Sequence, residues 1–505
     1  MELLLGVDIG TTALKSALFD TSGTLLAVTT QEYTLLTPKV NYVEETGEVY
    51  WKAFCDAIAA LQRAYPISPE DSIAMSFSAQ GETLLFLDEK GELLRNAIVW
   101  MDNRALEQAQ ALKKRFGDEL CYQVTGQVSF EPCWPASKIL WVREHEPEVF
   151  KKTAYFLLIE DYFIYRLSGK LVTEGSLVCS STYWNITTKT WWPEMLEFLG
   201  ISAAQLPQIM ESGEIAGTIL PALAAELKLP KNTTICTGAL DQAAGVIGAG
   251  NVREGMFSET IGAALAVCAP VSHPVFDPNR RMPLHYFAVP DTYMIHTFTN
   301  GGMTLRWFRD QFCPVEMQAQ TFGAGDAYDM ISRQAEKVPA GSDGLVMLPH
   351  LAGANAPDVD AKAKGVWFGF TLQHTRAHFM RAVMESLGYI VRRNIDALAD
   401  MGIHVTEVRS LGGGSKSRVW EQIKADINQV RFETVNSPEA ASLGAAILAG
   451  KATGVFSDIG AAVDSMVHVK QVFEPDTEKK AVYDEGYAMY QKLFSSLKVC
   501  FAQSL

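Results

Sequence analysis

The sequence predicts an α/β protein of two domains, and three observations carry that expectation. The chain has 505 residues, beyond the size at which one hydrophobic core stops growing, so it should divide. Short apolar runs of strand length alternate along it with segments whose apolar residues recur at helical spacing. A unit of strand, glycine turn and strand at residues 3–19 returns at residues 256–267, as an internal duplication would produce. The boundary is expected near residue 250, giving domains at 1–250 and 251–505 with a cleft between them.

The first strands run from Leu3 to Ile9, from Leu14 to Phe19 and from Leu25 to Val28, an antiparallel meander by their pattern and turn residues. Between the first two lies Gly10-Thr11-Thr12, one residue without a Cβ and two hydroxyls, suited to a nest of N–H groups around phosphate oxygens. Lys15 adds a cation nearby. Asp8 sits inside an apolar strand, where a carboxylate is costly unless it is paired or serves a metal. A nucleotide phosphate held through Mg²⁺ asks for such a group. A hairpin in which Asp8 caps a turn would present the same residues. The stretch is not a Walker A loop, which needs a helix and a Gly-Lys-Ser/Thr ending.

Residues 49–64 read as a helix, and 73–77 as a strand that delivers Gln80-Gly81-Glu82 to its end. Strands at 84–87 and 97–100 follow, the second ending in Trp100-Met101-Asp102-Asn103-Arg104. Strand ends are where α/β proteins place chemistry, so both loops are site candidates. Helices are expected at 105–116, 137–152 and 161–167, with a strand at 154–159. Residues 173–192, rich in Ser, Thr and Trp without a period, fit either a packed loop or the wall of a sugar pocket. A strand at 233–237 leads to Asp241-Gln242 at the start of a small-residue helix, where a carboxylate is either a cap or a general base.

In the second half, Thr260-Ile261-Gly262 forms the repeated turn, and Asn300-Gly301-Gly302 precedes a helix at 303–312 whose amides can face an anion. A long helix over about 376–401 is the expected spine of this half. A strand at 405–411 runs into Gly412-Gly413-Gly414 and a helix at 419–428. Those glycines let a ring or ribose lie against backbone, and a plain flexible loop would look the same. Ser437 as N-cap and Pro438 at the first helical position are expected to open a helix at 440–448, and the chain ends in a helix over 476–503.

The formal net charge of −15 lacks the basic surface that non-specific nucleic-acid binding relies on, so no nucleic-acid partner is expected. No stretch is uniform enough to span a bilayer and the N-terminus lacks a secretory pattern, so a cytoplasmic location without a membrane partner is expected. The eight cysteines contain no Cys-x-x-Cys pair and read as reduced thiols packed as small apolar residues.

Taken together, Asp8-Ile-Gly-Thr-Thr with Lys15, Trp100-x-Asp-x-Arg104, Asp241-Gln242, Thr260-Ile-Gly262 and Gly412-Gly-Gly resemble, in this order, the FGGY family of carbohydrate kinases. Pro135 to His145, with Lys138 and Trp141, and Gly365 to Gly369 continuing to Glu385 agree with the same family. The resemblance covers nearly the whole chain. It implies two ribonuclease H-like domains of the actin and hexokinase type, with ATP and Mg²⁺ in the cleft. It would put Asp8 near Mg²⁺, and Thr11, Thr12 and Lys15 by the phosphates of ATP. Thr260, Gly262, Gly302, Gly412 and Gly413 would complete the nucleotide site. Asp241 would be the base, with Gln80, Gly81, Glu82, Trp100, Arg104 and Gln242 around the sugar. The implied partner is a small sugar or polyol, and a homodimer is the implied assembly.

Departures from the family pattern bear on activity and substrate. The second phosphate loop reads Gly262-Ala263-Ala264 where the family usually has a hydroxyl, so either Thr260 substitutes or activity falls. Cys133 opens the first signature, and Phe370 stands where a branched aliphatic residue or Met is usual. Glu82 aligns with the sugar-touching histidine of xylulose kinases and with a Glu of glycerol kinases, although Gly81 replaces the Arg that precedes the latter. A carboxylate accepts hydroxyl hydrogen bonds and repels an acid substrate. Against that, the stretches Asn300–Asp310 and Trp100–Arg104 look like gluconate kinases, with Arg104 or Arg306 to pair with an acid sugar. A neutral ketopentose such as xylulose is expected first, polyols such as glycerol or erythritol second and gluconate third. The rival readings are an actin-like or chaperone-like ATPase and an inactive sugar-binding relative.

Overall fold

The computed structural model describes residues 1–437 and 439–503. Strands β1 (Glu2–Ile9), β2 (Ala13–Phe19) and β3 (Leu25–Glu32) form the expected meander. The sheet continues through β4 (Ser72–Ala79), β5 (Ile215–Thr218) and β6 (Thr234–Cys236), in the order β5-β6-β4-β1-β2-β3, and the short β7 (Ala239–Leu240) also pairs with β4. β1 and β4 are buried over most of their length, with Leu3, Leu4, Leu5, Val7 and Ile9 on β1 and Ile73, Ala74, Met75, Phe77 and Ala79 on β4, as strands covered on both faces must be.

The second sheet is built from β8 (Met256–Ile261), β9 (Ala264–Val271), β10 (Leu284–Tyr286), β11 (Tyr293–Asn300), β12 (Glu407–Gly412), β13 (Arg431–Val435) and β14 (Val469–Phe473). Its order is β10-β11-β9-β8-β12-β13-β14. The path β3-β2-β1-β4-β6-β5 in the first sheet matches β11-β9-β8-β12-β13-β14 in the second. At every step the pairing sense agrees: antiparallel, antiparallel, parallel, parallel, antiparallel. The repeat suspected from one glycine turn therefore extends through two whole sheets, and the expected fold of two ribonuclease H-like domains is the one observed.

Among the helices that frame the site, α1 (Gly47–Ala64) is capped by the Thr46 hydroxyl, which accepts from Val49 N, and buries Tyr50, Phe54, Ile58 and Leu61. The helix expected at 137–152 is two: α2 (Pro135–His145) and a short one, Pro147–Lys152. Pro147 forces Glu146 out of the helical region, to φ −131°. The helix expected at 105–116 runs on as Leu106–Thr125, broken at Gly117 with φ 78°. α3 (Ile159–Ser168) follows the strand Tyr155–Leu158. The aperiodic stretch 173–192 resolves into very short pieces, among them the strand Val172–Glu174 and α4 (Gly175–Val178).

Two helices join the halves. α5 (Asp241–Gly248) follows the first sheet, and α9 (Ala440–Ala452) comes from near the end of the chain yet packs on β1. A Cβ on Gly6 would stand 1.8 Å from Ser442 O, one on Gly248 1.8 Å from Ala440 O, and one on Gly444 1.9 Å from Ala244 O. Small residues let these backbones touch. α9 starts at Ala440 as expected, but its expected cap needs correction: Glu439 holds the cap position, and the buried Ser437 hydroxyl caps nothing. Pro438 lies outside the described residues. In the second half, α6 (Gly302–Phe312), α7 (Arg376–Asp400) and α8 (Arg418–Asn428) lie where expected. All eight cysteines are free, and no helix of the described residues is long and apolar enough to cross a membrane.

Candidate active site

The first glycine turn is closed by Gly10 N donating to Ala13 O at 3.0 Å, which sets Thr11 and Thr12 at the tip. In register, Asp8 faces Lys15 on β2 and Ser78 on β4. The Ser78 hydroxyl donates to Asp8 Oδ1 at 2.7 Å. Two expected sugar-site residues tie their loops to this turn: Gln80 Nε2 donates to Gly10 O at 3.0 Å, and the Trp100 indole donates to Thr11 Oγ1 at 2.8 Å. Lys15 pairs with Glu439 at 2.8 Å. Nothing local in the sequence marks Glu439 as a partner for a residue 424 positions away.

Asp241 is the first residue of α5 and accepts from Gln242 N at 2.6 Å. Burial first, then the charges of Asp8 and Glu82, push its carboxyl up to about 7. Burial also raises Asp8, with Ser78 and Lys15 opposing. Glu82 is raised by burial, with the Ser180 hydroxyl and Lys138 opposing. The charges of Asp8 and Glu82, both far from Asp241 in the sequence, thus reach it in one half-buried place. Ser180 belongs to the stretch 173–192, so that stretch does reach the Glu82 loop.

Lys138, within Pro135–His145, supports the site, and no sequence feature marks that role. It is fully buried on α2, and its ammonium donates to Glu82 O at 2.8 Å, Val99 O at 3.0 Å and Ile98 O at 3.5 Å. One side chain thereby fastens the Glu82 loop and the strand end before Trp100. Burial lowers the ammonium to about 8. Glu82 is held at φ 59°, the left-handed region that non-glycine residues rarely occupy, and Lys138 grips its carbonyl there.

Arg104 does not present a free cation. Its side chain is 1% exposed and its guanidinium is bound by Asp102 and Glu44 at 2.7 Å each, over the rings of Tyr42 and Trp141. The expectation that it pairs with an acid sugar is corrected: a guanidinium matched bidentately inside the protein fixes the Trp100 loop. Arg306 is mostly solvent-exposed and lies 3.8 Å from Asp310.

The second turn is one residue shorter than the first, with Gly262 N donating to Ala264 O at 2.9 Å and Met303 N to Ala263 O at 3.0 Å. Thr260 stands on β8 opposite Ala266 and Leu411. A Cβ on Gly302 would lie 2.3 Å from Gly262 O, and one on Gly412, whose φ is 77°, 2.6 Å from Ile261 O. These two glycines answer to the neighbouring backbone. Of the Gly412-Gly413-Gly414 run only Gly413 has room beside it, its nearest such atom being 3.9 Å away. No group of three His, Cys, Asp or Glu side chains among the described residues forms a metal cage. Mg²⁺ in phosphoryl transfer is held by one or two carboxylates together with substrate phosphates, and Asp8 beside the first turn fits that demand.

Comparison with known proteins agrees over the full length. The model of the FGGY family of carbohydrate kinases matches in two parts, its N-terminal domain at residues 3–248 and its C-terminal domain at 263–453. A xylulose kinase of Bacillus subtilis (strain 168) is 30% identical, with 99% of this chain and 98% of that protein covered. A gluconokinase of the same organism is also 30% identical, over 91% and 90%. Among solved structures, ligand-bound xylulose kinase from Lactobacillus acidophilus superposes with a TM-score of 0.89 at 28% identity, covering 100% of both chains. Gluconate kinase from Lactobacillus acidophilus gives 0.89 and 28%, covering 99% of both.

Proposed function

The chain belongs to the FGGY family of carbohydrate kinases, and from that premise we propose that it transfers the γ-phosphate of ATP to a primary hydroxyl of a small neutral sugar, a ketopentose such as xylulose. Asp241 takes the hydroxyl proton as the oxygen attacks, and a carboxyl near 7 is suited to that exchange at neutral pH. Thr11 and Thr12 with the first turn, and Thr260, Gly262, Gly302, Gly412 and Gly413 with the second, flank the phosphates. Phosphoryl transfer needs positioning and charge neutralisation more than covalent help. Asp8 would hold Mg²⁺, which when bound supplies charge neutralisation at the phosphates. Gln80, Glu82, Trp100 and Gln242 face the sugar. We divide the chain near residue 250, and a homodimer in the cytoplasm goes with this reading.

One observation carries the choice of a neutral substrate: the charges of Asp8 and Glu82 both act on Asp241, while Arg104 is already matched by Asp102 and Glu44. An acid sugar would meet repulsion with no free guanidinium from this loop to offset it. The test is ADP release with Mg-ATP over xylulose, ribulose, glycerol, erythritol, xylitol and gluconate. A ketopentose should give the highest kcat/KM. A preference for gluconate would overturn the neutral-sugar reading and transfer it to the other relatives' substrate.

A further inference from the structure

The two-residue strand β7 that delivers Asp241 pairs with β4 along one edge only, Ala239 with Ser78 and Leu240 with Ala79. Backbone N–H groups two residues apart point to the same edge of a strand. On the opposite edge, the N–H groups of Gly238 and Leu240 end on side chains. Gly238 N donates to Glu160 Oε1 at 2.7 Å, and Leu240 N donates to Ser176 Oγ at 3.1 Å. The Ser176 hydroxyl in turn donates to Glu174 Oε1 at 2.8 Å, and Glu174 is held by Ser176 N, Leu177 N and the Ser212 hydroxyl at 2.6–2.7 Å. Glu160, Glu174, Ser176 and Ser212 are all buried.

We propose that Glu160 and Ser176 are positioning residues for the transfer reaction: they stand in for a neighbouring strand and fix the backbone immediately before Asp241, so that its carboxylate meets the sugar hydroxyl in line. The inference rests on Asp241 being the base. The opposite face of the segment is equally constrained, since a Cβ on Gly238 would stand 1.9 Å from Phe77 O. Glu160 is an expensive way to hold a loop, because its Oε2 is buried without a partner and Glu174 lies close enough to act on it. Burial and Glu174 push its carboxyl well above the usual range, which favours the uncharged form as the acceptor for Gly238 N. Placement of a reacting group within about an ångström is worth roughly a hundredfold in rate, which gives this hold a kinetic consequence.

The variants Ser176→Ala, Glu160→Met and Glu160→Gln test it, with Asp241→Asn as control, by steady-state kinetics with Mg-ATP and the best sugar. Ser176→Ala and Glu160→Met should each lower kcat about tenfold or more, on the scale set by misplacement of a reacting group, and leave the KM values for sugar and ATP little changed. Glu160→Gln keeps a neutral acceptor oxygen and should retain most of the wild-type kcat. A wild-type kcat for Ser176→Ala, beside an inactive Asp241→Asn, would overturn the proposal and leave the base assignment standing. Equal loss in Glu160→Gln and Glu160→Met would also overturn it. Turnover retained by Asp241→Asn would bring down the base assignment and this inference with it.

Discussion

At the scale of the residue, the account turns on how carboxylates share a small space. As the proposed base, Asp241 must be ionised to accept a proton, and burial with the charges of Asp8 and Glu82 pushes its carboxyl up to about 7, so kcat/KM for the sugar should rise with pH through about 7 and level off above it. Glu82 contributes to that raised value. Glu82→Gln should therefore move the rising limb to lower pH and raise sugar KM about tenfold, the worth of a hydrogen bond to a charged group. An unmoved limb with unchanged KM would remove Glu82 from the pocket. Asp8 and Asp241 stood out in the sequence because isolated carboxylates next to apolar strands demand a reason. Lys138 and Glu439 did not, since their partners are backbone carbonyls and a lysine hundreds of residues away. Arg104 was legible as a loop residue and misread in role, because Glu44 is remote in sequence.

At the scale of the element, close backbone contact is the recurring device. Gly444→Ala would drive a Cβ to 1.9 Å from Ala244 O, forcing α5 and α9 apart. Overpacking of this kind costs about 1–3 kcal/mol, and the expected result is a lower thermal midpoint together with reduced turnover, because α5 carries Asp241. Lys138→Met leaves three carbonyls of the sugar-site loops without their donor. It should cost about 1–3 kcal/mol in chemical unfolding and raise sugar KM more than ATP KM. The long amphipathic or small-residue helices were legible from spacing alone. The pieces within 173–192 were not, because helices and strands of two to four residues are too short to show a period. α9 starts at Ala440 as the sequence indicates, but Ser-Pro is a strong local signal that pointed to Ser437 as the N-cap, whereas Glu439 holds that position without a side-chain cap hydrogen bond.

At the scale of the whole molecule, one sheet plan is used twice, and α9 from the second half packs on α5 and β1 of the first. The first turn betrayed the duplication, but the matched strand order could not be read because β10, β11, β13 and β14 mix polar and apolar residues that do not tell which strand each pairs with. Burial holds Asp161 up at about 8 and Glu174 and Asp241 at about 7, all above the ordinary carboxylate value near 4. A folded-state value above the unfolded one means stability that is full below about pH 4 and is lost as pH rises through 7 to 8. From these groups the thermal midpoint of the ligand-free protein should fall between about pH 6 and pH 8.5, and Asp161→Asn should flatten the fall at its alkaline end. A midpoint that climbs over this range would contradict the assigned burial.

Because closure of the two halves would exclude water as an acceptor, ATP hydrolysis without sugar should be slow. The most direct test of the account is sugar-dependent ADP release by the wild type and by Asp241→Asn at pH 8 under saturating Mg-ATP. The account predicts strong stimulation of the wild type by a neutral ketopentose. It also predicts a loss of at least about a hundredfold in the variant, the contribution of a general base, with ATP binding preserved. An Asp241→Asn enzyme that turns over at the wild-type rate, or a wild-type ATPase that no sugar accelerates, would contradict it.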